Sequence, residues 1–344
     1  MKAETHASIL VTGAAGFIGF HLARRLLDAG HHVTGFDNLN DYYDPALKEA
    51  RLALLQAHPH FTFMRGDLSD QTAMRTLFET GRFRYVVHLA AQAGVRYSLI
   101  NPMAYGQSNL IGFLNILEMC RQHDIAHLVY ASSSSVYGAN AKVPFSTDDS
   151  ADHPLSLYAA TKKANEGMAH AYANMFGLKS TGLRFFSVYG PWGRPDMAMW
   201  LFTDAIMHDR PIKLFNKGDM KRDFTYVADI VEAIDRLIPM ATEPDPNWSA
   251  LHPKPSTSAV PHRIFNIGNH TPVDVRHLVH LIENEIGKKA IIEDAPMQKG
   301  DVYETYADVS ALTAATGFNP HTPIEEGVRA FVHWFKDYTS RHPA

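Results

Sequence analysis

Tyr158 and Lys162 are the two residues whose types and spacing most directly suggest chemistry in this 344-residue chain. They lie four positions apart in a segment predicted to be helical, so both side chains project from one helix face. An ammonium group beside a phenol favours the phenolate and lowers the pKa of a phenol, which can then accept a proton. The pair also occurs on ordinary helix surfaces, so its meaning depends on the other residues near it. Upstream lies a serine cluster that offers a hydroxyl to share a substrate proton: Ser132, Ser133, Ser134 and Ser135.

A glycine-rich turn near the start of the chain supplies such a context. An apolar run at residues 8–11 precedes it, leucines at helical spacing follow it, and a second predicted strand ends at Asp37. The turn carries three evenly spaced glycines: Gly13, Gly16 and Gly19. Strand, glycine turn, helix and strand in this order predict a dinucleotide-binding turn, in which backbone and helix N terminus meet the pyrophosphate. Asp37 would accept hydrogen bonds from the adenosine ribose and repel a 2′-phosphate, which favours NAD over NADP.

Further strands are predicted at residues 61–65, 85–89, 128–131 and 179–183, the last of them as the final strand of the core sheet. Asp67 follows the first of these strands, the small residues Ala90 and Ala91 follow the second, and the serine cluster follows the third. Ligands of open parallel sheets bind beyond the carboxyl ends of the strands, so these residues are expected at one edge. We therefore predict a Rossmann-type, doubly wound parallel α/β fold in residues 1–184 and a smaller C-terminal substrate lobe in residues 185–344.

The bulk composition is that of a globular protein and excludes several function classes. Hydrophobic residues make up 46% of the chain, charged residues 20%, and the formal net charge is -4. Without a basic run or a long apolar run, neither a nucleic-acid nor a membrane partner is expected. A single cysteine, Cys120, is expected to be buried and fits a reducing cytoplasm. The 20 histidines are scattered without metal-ligand spacing, so no metal site is predicted.

Taken together, the motifs resemble the extended short-chain dehydrogenases/reductases that act on nucleotide sugars. The resemblance rests on the glycine turn, Asp37, Asp67, residues 132–138 and the Tyr158–Lys162 pair, and continues through 183–191, 222–229 and 265–268. Within that family, residues 92–98 and 190–198 are similar to those of the UDP-glucuronate 4-epimerases. Residues 297–302 also fit, although Lys299 stands where a proline is more usual. The resemblance implies chain crossings between the two lobes.

The resemblance implies NAD-dependent 4-epimerisation of UDP-glucuronate to UDP-galacturonate through a transient 4-keto sugar. Tyr158 would remove the proton of the sugar 4-hydroxyl, Lys162 would lower the Tyr158 pKa and hold the nicotinamide ribose, and Ser133 would hydrogen-bond the 4-oxygen, with Ser134 beside it. NAD would stay tightly bound because each turnover regenerates it. The implied cofactor-binding residues are Gly13, Gly16, Phe17, Ile18, Gly19, Asp37, Asn38, Asp67, Leu68, Leu89, Ala90, Ala91, Asn109, Tyr158, Lys162 and Phe185.

A second set of residues is implied to bind the UDP-sugar: Arg96, Ser133, Ser134, Ser135, Tyr158, Ser187, Arg194, Lys213, Phe215, Arg222, Gln298 and Asp301. Arg194 is the main candidate for the sugar carboxylate, because a guanidinium pairs with a carboxylate through two hydrogen bonds. Its alternative is a loop arginine that pairs with Asp196 or lies in surface solvent. Arg222 is the candidate for the diphosphate and Asp301 for a ribose, with surface charge as the alternative for each.

The side chains that follow Ser133 bear on the type of reaction. Related dehydratases and decarboxylases carry acidic residues in this stretch, whereas Ser134 and Ser135 are hydroxyl residues here. Because a 4-ketone makes the sugar acid a β-keto acid, the absence of an added acid or base favours epimerisation over elimination or decarboxylation.

Alternatives to this interpretation remain. The nearest is 4-epimerisation of UDP-glucose/UDP-galactose or another UDP-sugar, and a more distant one is decarboxylation of UDP-glucuronate. A non-enzymatic NAD-sensing regulator of the same fold would be expected to lack Tyr158 or Lys162. The family resemblance also predicts a homodimer, in which helices within 101–122 and 157–176 pack as a four-helix interface.

Overall fold

A computed structural model describes residues 6–297 and 301–342 of the chain. Strands and helices alternate along its first half, as the sequence pattern predicts. The strands are β1 Ser8–Thr12, β2 His32–Asp37, β3 Phe61–Arg65, β4 Tyr85–His88, β5 His127–Ser133, β6 Ser180–Phe185, β7 Ser187–Tyr189, β8 Pro211–Phe215, β9 Lys221–Arg222, β10 Phe224–Tyr226, β11 His262–Ile267, β12 Val273–Asp274 and β13 Ile291–Ala295.

The helices are α1 Phe17–Asp28, α2 Pro45–Gln56, α3 Gln71–Gly81, α4 Tyr97–Ile100, α5 Pro102–Tyr105, α6 Gly112–Gln122, α7 Leu157–Phe176, α8 Ala198–Met207, α9 Val227–Leu237, α10 Val275–Ile286, α11 Ser310–Thr316 and α12 Ile324–Arg341. A π-helical segment, Gly106–Ile111, joins α5 to α6, and a 3₁₀ turn, Ser134–Tyr137, follows β5.

The central sheet has seven strands in the order β11-β6-β5-β4-β1-β2-β3. Strands β1 to β6 run parallel to one another. From β1, the chain builds outward to β2 and β3 and then resumes on the other side with β4, β5 and β6. Such a reversal between β1 and β4 is the topological switch point at which doubly wound sheets bind ligands. The predicted Rossmann-type fold is therefore confirmed.

One strand prediction is wrong: the strand at 179–183 is not the last of the core sheet. Strand β11 lies beyond β6 and completes the edge. A loop of residues 238–261 separates β11 from the preceding helix, so the alternation of strand and helix that guided the prediction ends before it. Strand β5 also runs two residues further than predicted, through Ser132 and Ser133.

The chain divides into two units, each with its own core. Unit 1 comprises the residues up to Ala141 together with Ser146–Phe185 and Val231–Asn266, and unit 2 comprises Lys142–Phe145, Phe186–Ile230 and the residues from Ile267 onward. In unit 1, apolar side chains of the central strands pack against those of α3 and α6. All seven residues of β5 are buried, as expected for a strand covered on both faces.

Unit 2 has a separate apolar core in which residues of α8, α10 and α12 surround β8. Along β8, Ile212 and Leu214 are buried whereas Pro211 and Lys213 are exposed. This alternation follows from the two-residue period of a strand with one covered face. Strand β8 pairs in parallel with β13, and β7 pairs in parallel with β10.

Helix α7 carries the Tyr158–Lys162 pair, and local sequence explains where it begins and ends. Ser156 precedes it, and the Ser156 hydroxyl accepts a hydrogen bond from the Ala159 N–H at 3.1 Å. Gly177 ends the helix in the left-handed conformation that glycine adopts most readily. The 20-residue helix spans about 30 Å at 1.5 Å per residue, so it can present side chains along the length of the sheet.

Candidate active site

The glycine turn after β1 has the close packing that a dinucleotide site requires. Gly13 has a φ of +72°, and a Cβ there would lie 2.8 Å from the Ala90 backbone nitrogen at the end of β4. A Cβ at Gly19 would lie far inside contact distance of the Gly13 carbonyl oxygen. The turn and the β4 end therefore meet at the switch point only because these positions lack side chains. The structure brings together this part of the predicted cofactor set: Gly13, Gly16, Gly19 and Ala90.

The N terminus of α1 follows this turn directly. Gly16 is its N-cap and forms no side-chain capping bond, while Phe17 and Ile18 occupy the first helical turn. Backbone N–H groups in a first turn have no acceptor within the helix and carry partial positive charge. The turn and helix therefore fit a pyrophosphate, which is the anionic part of NAD.

Asp37 ends β2 beside this turn. One of its carboxylate oxygens accepts a hydrogen bond from the Ala15 N–H at 3.1 Å and the other from the Leu39 N–H at 2.9 Å. Burial raises the pKa of Asp37 above its ordinary value, against the opposing effects of these hydrogen bonds and of Lys48. Each oxygen retains a second lone pair for a ribose hydroxyl. The residue thus braces the glycine turn, a structural task in addition to the ribose contact expected from sequence.

Asn38 and Asp67 form a second polar group at the ends of β2 and β3. The Asn38 amide donates to the Asp67 carboxylate at 2.8 Å, and the Ser69 hydroxyl donates to it at 2.7 Å. Burial opposes ionisation, but these hydrogen bonds outweigh it and lower the pKa of Asp67. Leu68, also predicted to bind the cofactor, places its side chain in the core of unit 1.

Asn109 lies in the π-helical segment and is engaged with the protein itself. Its side-chain oxygen accepts from the Gln92 N–H at 2.8 Å, and its amide nitrogen donates to the Gln92 carbonyl at 3.1 Å and the Thr161 hydroxyl at 3.1 Å. The residue therefore ties the segment after Leu89, Ala90 and Ala91 to helix α7. A π-helical turn at such a position is a common feature of functional sites.

Lys162 is buried beneath the end of β5. Its ammonium nitrogen donates to the Ala131 carbonyl at 3.0 Å, and its side chain is almost inaccessible to solvent. Burial lowers the pKa of Lys162 to about 8, so the group still carries its charge at neutral pH. A positive charge thus stands one helical turn from Tyr158, as the spacing predicts.

Tyr158 is half-buried on α7, on the same helix face as Lys162. Its ring meets the ring of Tyr105 edge-on, with centroids 6.1 Å apart and planes at 75°. Tyr105 is itself fully buried, and its hydroxyl donates to the carbonyls of Ala93 and Gly94. This contact limits the directions that the Tyr158 ring can take.

The serine cluster divides by position. Ser132 and Ser133 are buried at the end of β5, whereas Ser134 and Ser135 are half-buried in the following turn. The Ser133 hydroxyl accepts from the Ser135 N–H at 3.1 Å, which leaves its own hydrogen available to donate. Ser133 therefore caps the turn, and in this conformation it can still hydrogen-bond a sugar oxygen. Phe185 is half-buried at the end of β6 and pairs in register with Ser133.

The remaining predicted substrate residues lie mainly in unit 2. Arg222 donates to the Asp301 carboxylate at 2.6 Å, so the candidates for diphosphate and ribose form one ion pair. Lys213 is exposed and Phe215 half-buried on β8. Ser187 begins β7, where its N–H donates to the Asp223 carbonyl at 3.0 Å.

Arg194 forms the contact that sequence analysis gave as its alternative role. Its guanidinium donates twice to Asp196, at 2.9 and 2.6 Å. The Arg194 guanidinium is thus held in place by a carboxylate of the same loop. Arg96 belongs to unit 1 and is exposed at the start of α4. Gln298 lies outside the described residues.

Several residues of the site were missed by sequence reasoning. His88 is buried next to the glycine turn and hydrogen-bonds the Thr12 hydroxyl at 2.9 Å, and burial together with the Lys162 charge lowers the pKa of His88 to about 3. Arg51 is fully buried and donates to the Ala15 carbonyl at 2.9 Å. An arginine on α2 has no sequence signal of burial, whereas a histidine inside an apolar strand could have been noticed.

Two kinds of feature, a metal-binding cluster and a membrane-spanning helix, are absent from the described parts of the chain. Residues 6–297 and 301–342 contain no cluster of three or more histidine, cysteine or acidic side chains that could hold a metal ion. Over the same residues, no helix has both the length and the apolarity needed to cross a bilayer. Cys120 is buried, and burial raises the pKa of its thiol.

The fold and the site define a dinucleotide-dependent enzyme with a tyrosine–lysine pair. The chain belongs to the NAD dependent epimerase/dehydratase family, whose sequence model matches residues 9–268. A probable UDP-glucuronate 4-epimerase of Rhizobium meliloti (strain 1021) is 47% identical over 338 residues, which are 97% of this chain and 98% of that protein.

Solved structures show the same similarity. The UDP-glucuronic acid 4-epimerase of Bacillus cereus, in complex with UDP-glucuronic acid and NAD, is 30% identical with a TM-score of 0.84, over 96% of this chain and 99% of that one. A UDP-glucose 4-epimerase of Thermotoga maritima with UDP-glucose is 29% identical with a TM-score of 0.82, over 96% and 99% of the two chains.

Proposed function

We propose that this protein catalyses the NAD-dependent 4-epimerisation of UDP-glucuronate to UDP-galacturonate. The observation that carries the proposal is the buried Lys162 ammonium, one helical turn from Tyr158 and bonded to the strand that ends in Ser133. The glycine turn fits NAD at the neighbouring switch point of the same unit. Relatives named as UDP-glucuronate 4-epimerases support the choice of sugar.

The chain's own residues have distinct tasks in this reaction. Bound NAD supplies a hydride acceptor and donor for carbon 4 of the sugar, so that the sugar passes through a 4-ketone. Tyr158 takes the proton of the 4-hydroxyl and later returns it, and the Lys162 charge stabilises the phenolate between these events. Ser133 donates a hydrogen bond to the sugar 4-oxygen, which stabilises the negative charge that develops there as the proton leaves.

The serine cluster supports epimerisation rather than loss of carbon dioxide. A 4-ketone next to the carbon that bears the carboxylate makes decarboxylation easy, and an acidic group nearby would assist proton transfer in that step. Ser134 and Ser135 place hydroxyl groups after Ser133 instead. The carboxylate would be held by Arg194, which would exchange its two hydrogen bonds to Asp196 for two to the sugar carboxylate.

A second candidate is 4-epimerisation of UDP-glucose. The observation that favours it is the TM-score of 0.82 to a UDP-glucose 4-epimerase, which is nearly as high as the 0.84 to the UDP-glucuronic acid 4-epimerase. Incubation of the purified protein with UDP-glucuronate and with UDP-glucose, each without added NAD, separates the two candidates. We expect the 4-epimer of the acid by NMR without release of carbon dioxide. Faster conversion of UDP-glucose would contradict the proposal.

Arg194→Ala tests the carboxylate contact directly. Because a charge-assisted pair would be lost, kcat/KM for UDP-glucuronate should fall about tenfold or more, with a change of about twofold for any residual UDP-glucose turnover. Arg210→Ala is the matched control, since Arg210 is an exposed arginine of unit 2 that also pairs with an aspartate, Asp204. Equal losses for both sugars would refute the assigned role of Arg194.

We also propose a homodimer through the helical face formed by α4 to α7 and the π-helical segment. This face exposes large apolar side chains: Leu99 and Ile100 at 77%, Met103 at 71%, and to lesser degrees Ile111, Leu114, Leu157, Met175 and Phe176. A group of large apolar side chains exposed together on one face of a chain is typical of a surface that a partner protein covers. Sedimentation of the purified protein should give twice the chain mass of 38.4 kDa; a monomer at micromolar concentration would contradict the assignment.

A further inference from the structure

Glu166 lies two helical turns beyond Tyr158 on α7 and is buried with only 3% of its side chain exposed. Its carboxylate binds two buried partners, and the half-buried Lys163 ammonium lies 3.5 Å from one of its oxygens. Arg184, which is fully buried on β6, donates to both carboxylate oxygens at 2.9 Å each. The Ser132 hydroxyl of β5 donates to one of the same oxygens at 2.7 Å.

The two buried partners of Glu166 are neighbours on adjacent strands of the sheet, β5 and β6. Ser132 pairs in register with Arg184, and the next pair along the strands is Ser133 with Phe185. The carboxylate therefore joins α7 to the register pair that immediately precedes two predicted site residues. Burial alone would raise the pKa of Glu166, but the charge and hydrogen bonds of Arg184 outweigh it and hold that pKa below its usual range.

Two hydrogen bonds, one helical turn apart on α7, join the helix to successive residues of β5. Lys162 donates to the carbonyl of Ala131, and one turn later Glu166 accepts from the hydroxyl of Ser132. Together the two contacts fix the position of α7 along β5, because a shift of the helix by one turn, about 5.4 Å, would break both. Since neighbouring side chains of a strand point to opposite faces, a fixed Ser132 also fixes the direction of Ser133.

We propose that Glu166 is a positioning residue which, through Ser132, sets the Ser133 hydroxyl relative to Tyr158 for the reaction. The inference rests on the proposed function, because it concerns proton transfer at the sugar 4-oxygen. Neither Glu166 nor Ser132 contacts the substrate in this account. Their effect is on turnover, since a displacement near 1 Å of a reacting group can slow a reaction by up to about a hundredfold.

Ser132→Ala is the sharpest test, because it removes the hydroxyl bond and leaves the Glu166–Arg184 ion pair intact. We expect kcat for UDP-glucuronate to fall about tenfold while KM changes by less than about twofold. Ser132→Thr keeps a hydroxyl and should recover kcat to within about threefold of the unaltered protein. Glu166→Gln should lower kcat at least as far as Ser132→Ala.

Ser180→Ala is the matched control. Ser180 is also buried, its hydroxyl bonds His262 at 3.0 Å, and it begins β6 five residues before Phe185. Both alanine variants should lower Tm by about 2 to 4 °C, but only Ser132→Ala should lower kcat. Equal kcat in the two variants, a rise in KM in place of a fall in kcat, or no recovery with threonine would each overturn the inference. Absence of turnover in the unaltered protein would instead contradict the proposed function.

Discussion

At the scale of single residues, the chemistry of this protein depends on one ammonium group kept out of water. The Lys162 nitrogen bonds the Ala131 carbonyl rather than a carboxylate, and burial lowers its pKa to about 8. An acidic partner would neutralise the electrostatic effect of the lysine on a neighbouring phenol. A carbonyl holds the ammonium in place and leaves most of its charge to act on Tyr158.

Replacement of the phenol tests this at the same scale. Tyr158→Phe should lower kcat by at least about a hundredfold, because it removes the group that transfers the proton, while bound NAD is retained after purification. The control is Tyr172→Phe on the same helix, whose hydroxyl bonds Glu118 at 3.2 Å near the surface. Turnover should be assayed with UDP-glucuronate and cofactor content by absorbance; activity in Tyr158→Phe near that of Tyr172→Phe would disprove the role.

At the scale of elements, the site depends on how closely α1 and β4 approach the glycine turn. Gly19→Ala places a Cβ against the Gly13 carbonyl, so the turn must open, with a destabilisation of about 1 to 3 kcal/mol and loss of bound NAD. Gly167→Ala on the exposed face of α7 meets nothing within 4 Å and should stabilise by about 0.5 to 1 kcal/mol. Denaturant unfolding and cofactor content check both values. Retention of NAD in Gly19→Ala would contradict the proposed phosphate site.

Elements also show what could be predicted from sequence. Strands β1 to β3 were located almost to the residue, because apolar runs and glycine turns are local signals. Strand β11 was missed as a member of the sheet because its place beside β6 depends on a contact across a long loop. The Glu166–Arg184–Ser132 group was missed for the same reason, since three elements must assemble before a carboxylate on α7 has buried partners.

Site residues whose arrangement is local could be predicted from sequence, whereas those that depend on contacts between distant positions could not. The spacing of Tyr158 and Lys162 is a property of one helix and needs no tertiary contact. The tie between Asn109 and Gln92 joins positions 17 residues apart, and Arg51 reaches Ala15 over 36 residues. Sequence alone cannot distinguish such bracing contacts from contacts with a ligand.

At the scale of the whole molecule, unit 1 contains three buried histidines whose pKa values burial lowers: His88 to about 3, His127 to about 4 and His262 to about 3. His127 bonds the Ile238 carbonyl through one ring nitrogen and the Thr181 hydroxyl through the other. Because a carbonyl only accepts, this arrangement suits a neutral ring that donates once and accepts once. Protonation would place a charge in the buried interior, which is the main cause of the lowered pKa of His127.

These histidines predict acid sensitivity. Each has a folded-state pKa below the ordinary value of 6.5, so the unfolded chain binds protons first and stability is lost as pH falls from about 6.5 toward 4. His127 alone should contribute about 2 to 3 kcal/mol of this loss between pH 7 and 4.5. In His127→Gln, urea unfolding at both pH values should show a loss smaller by that amount. An equal loss in the two proteins would contradict the assignment.

The central claim is that the sugar is oxidised and then reduced at carbon 4 within one active site. It is tested most directly with UDP-glucuronate deuterated at carbon 4, converted in ordinary water by the purified protein without added NAD. The product should carry the deuterium at carbon 4, because the hydride returns to the carbon that it left. Loss of the label to solvent during conversion would contradict the claim.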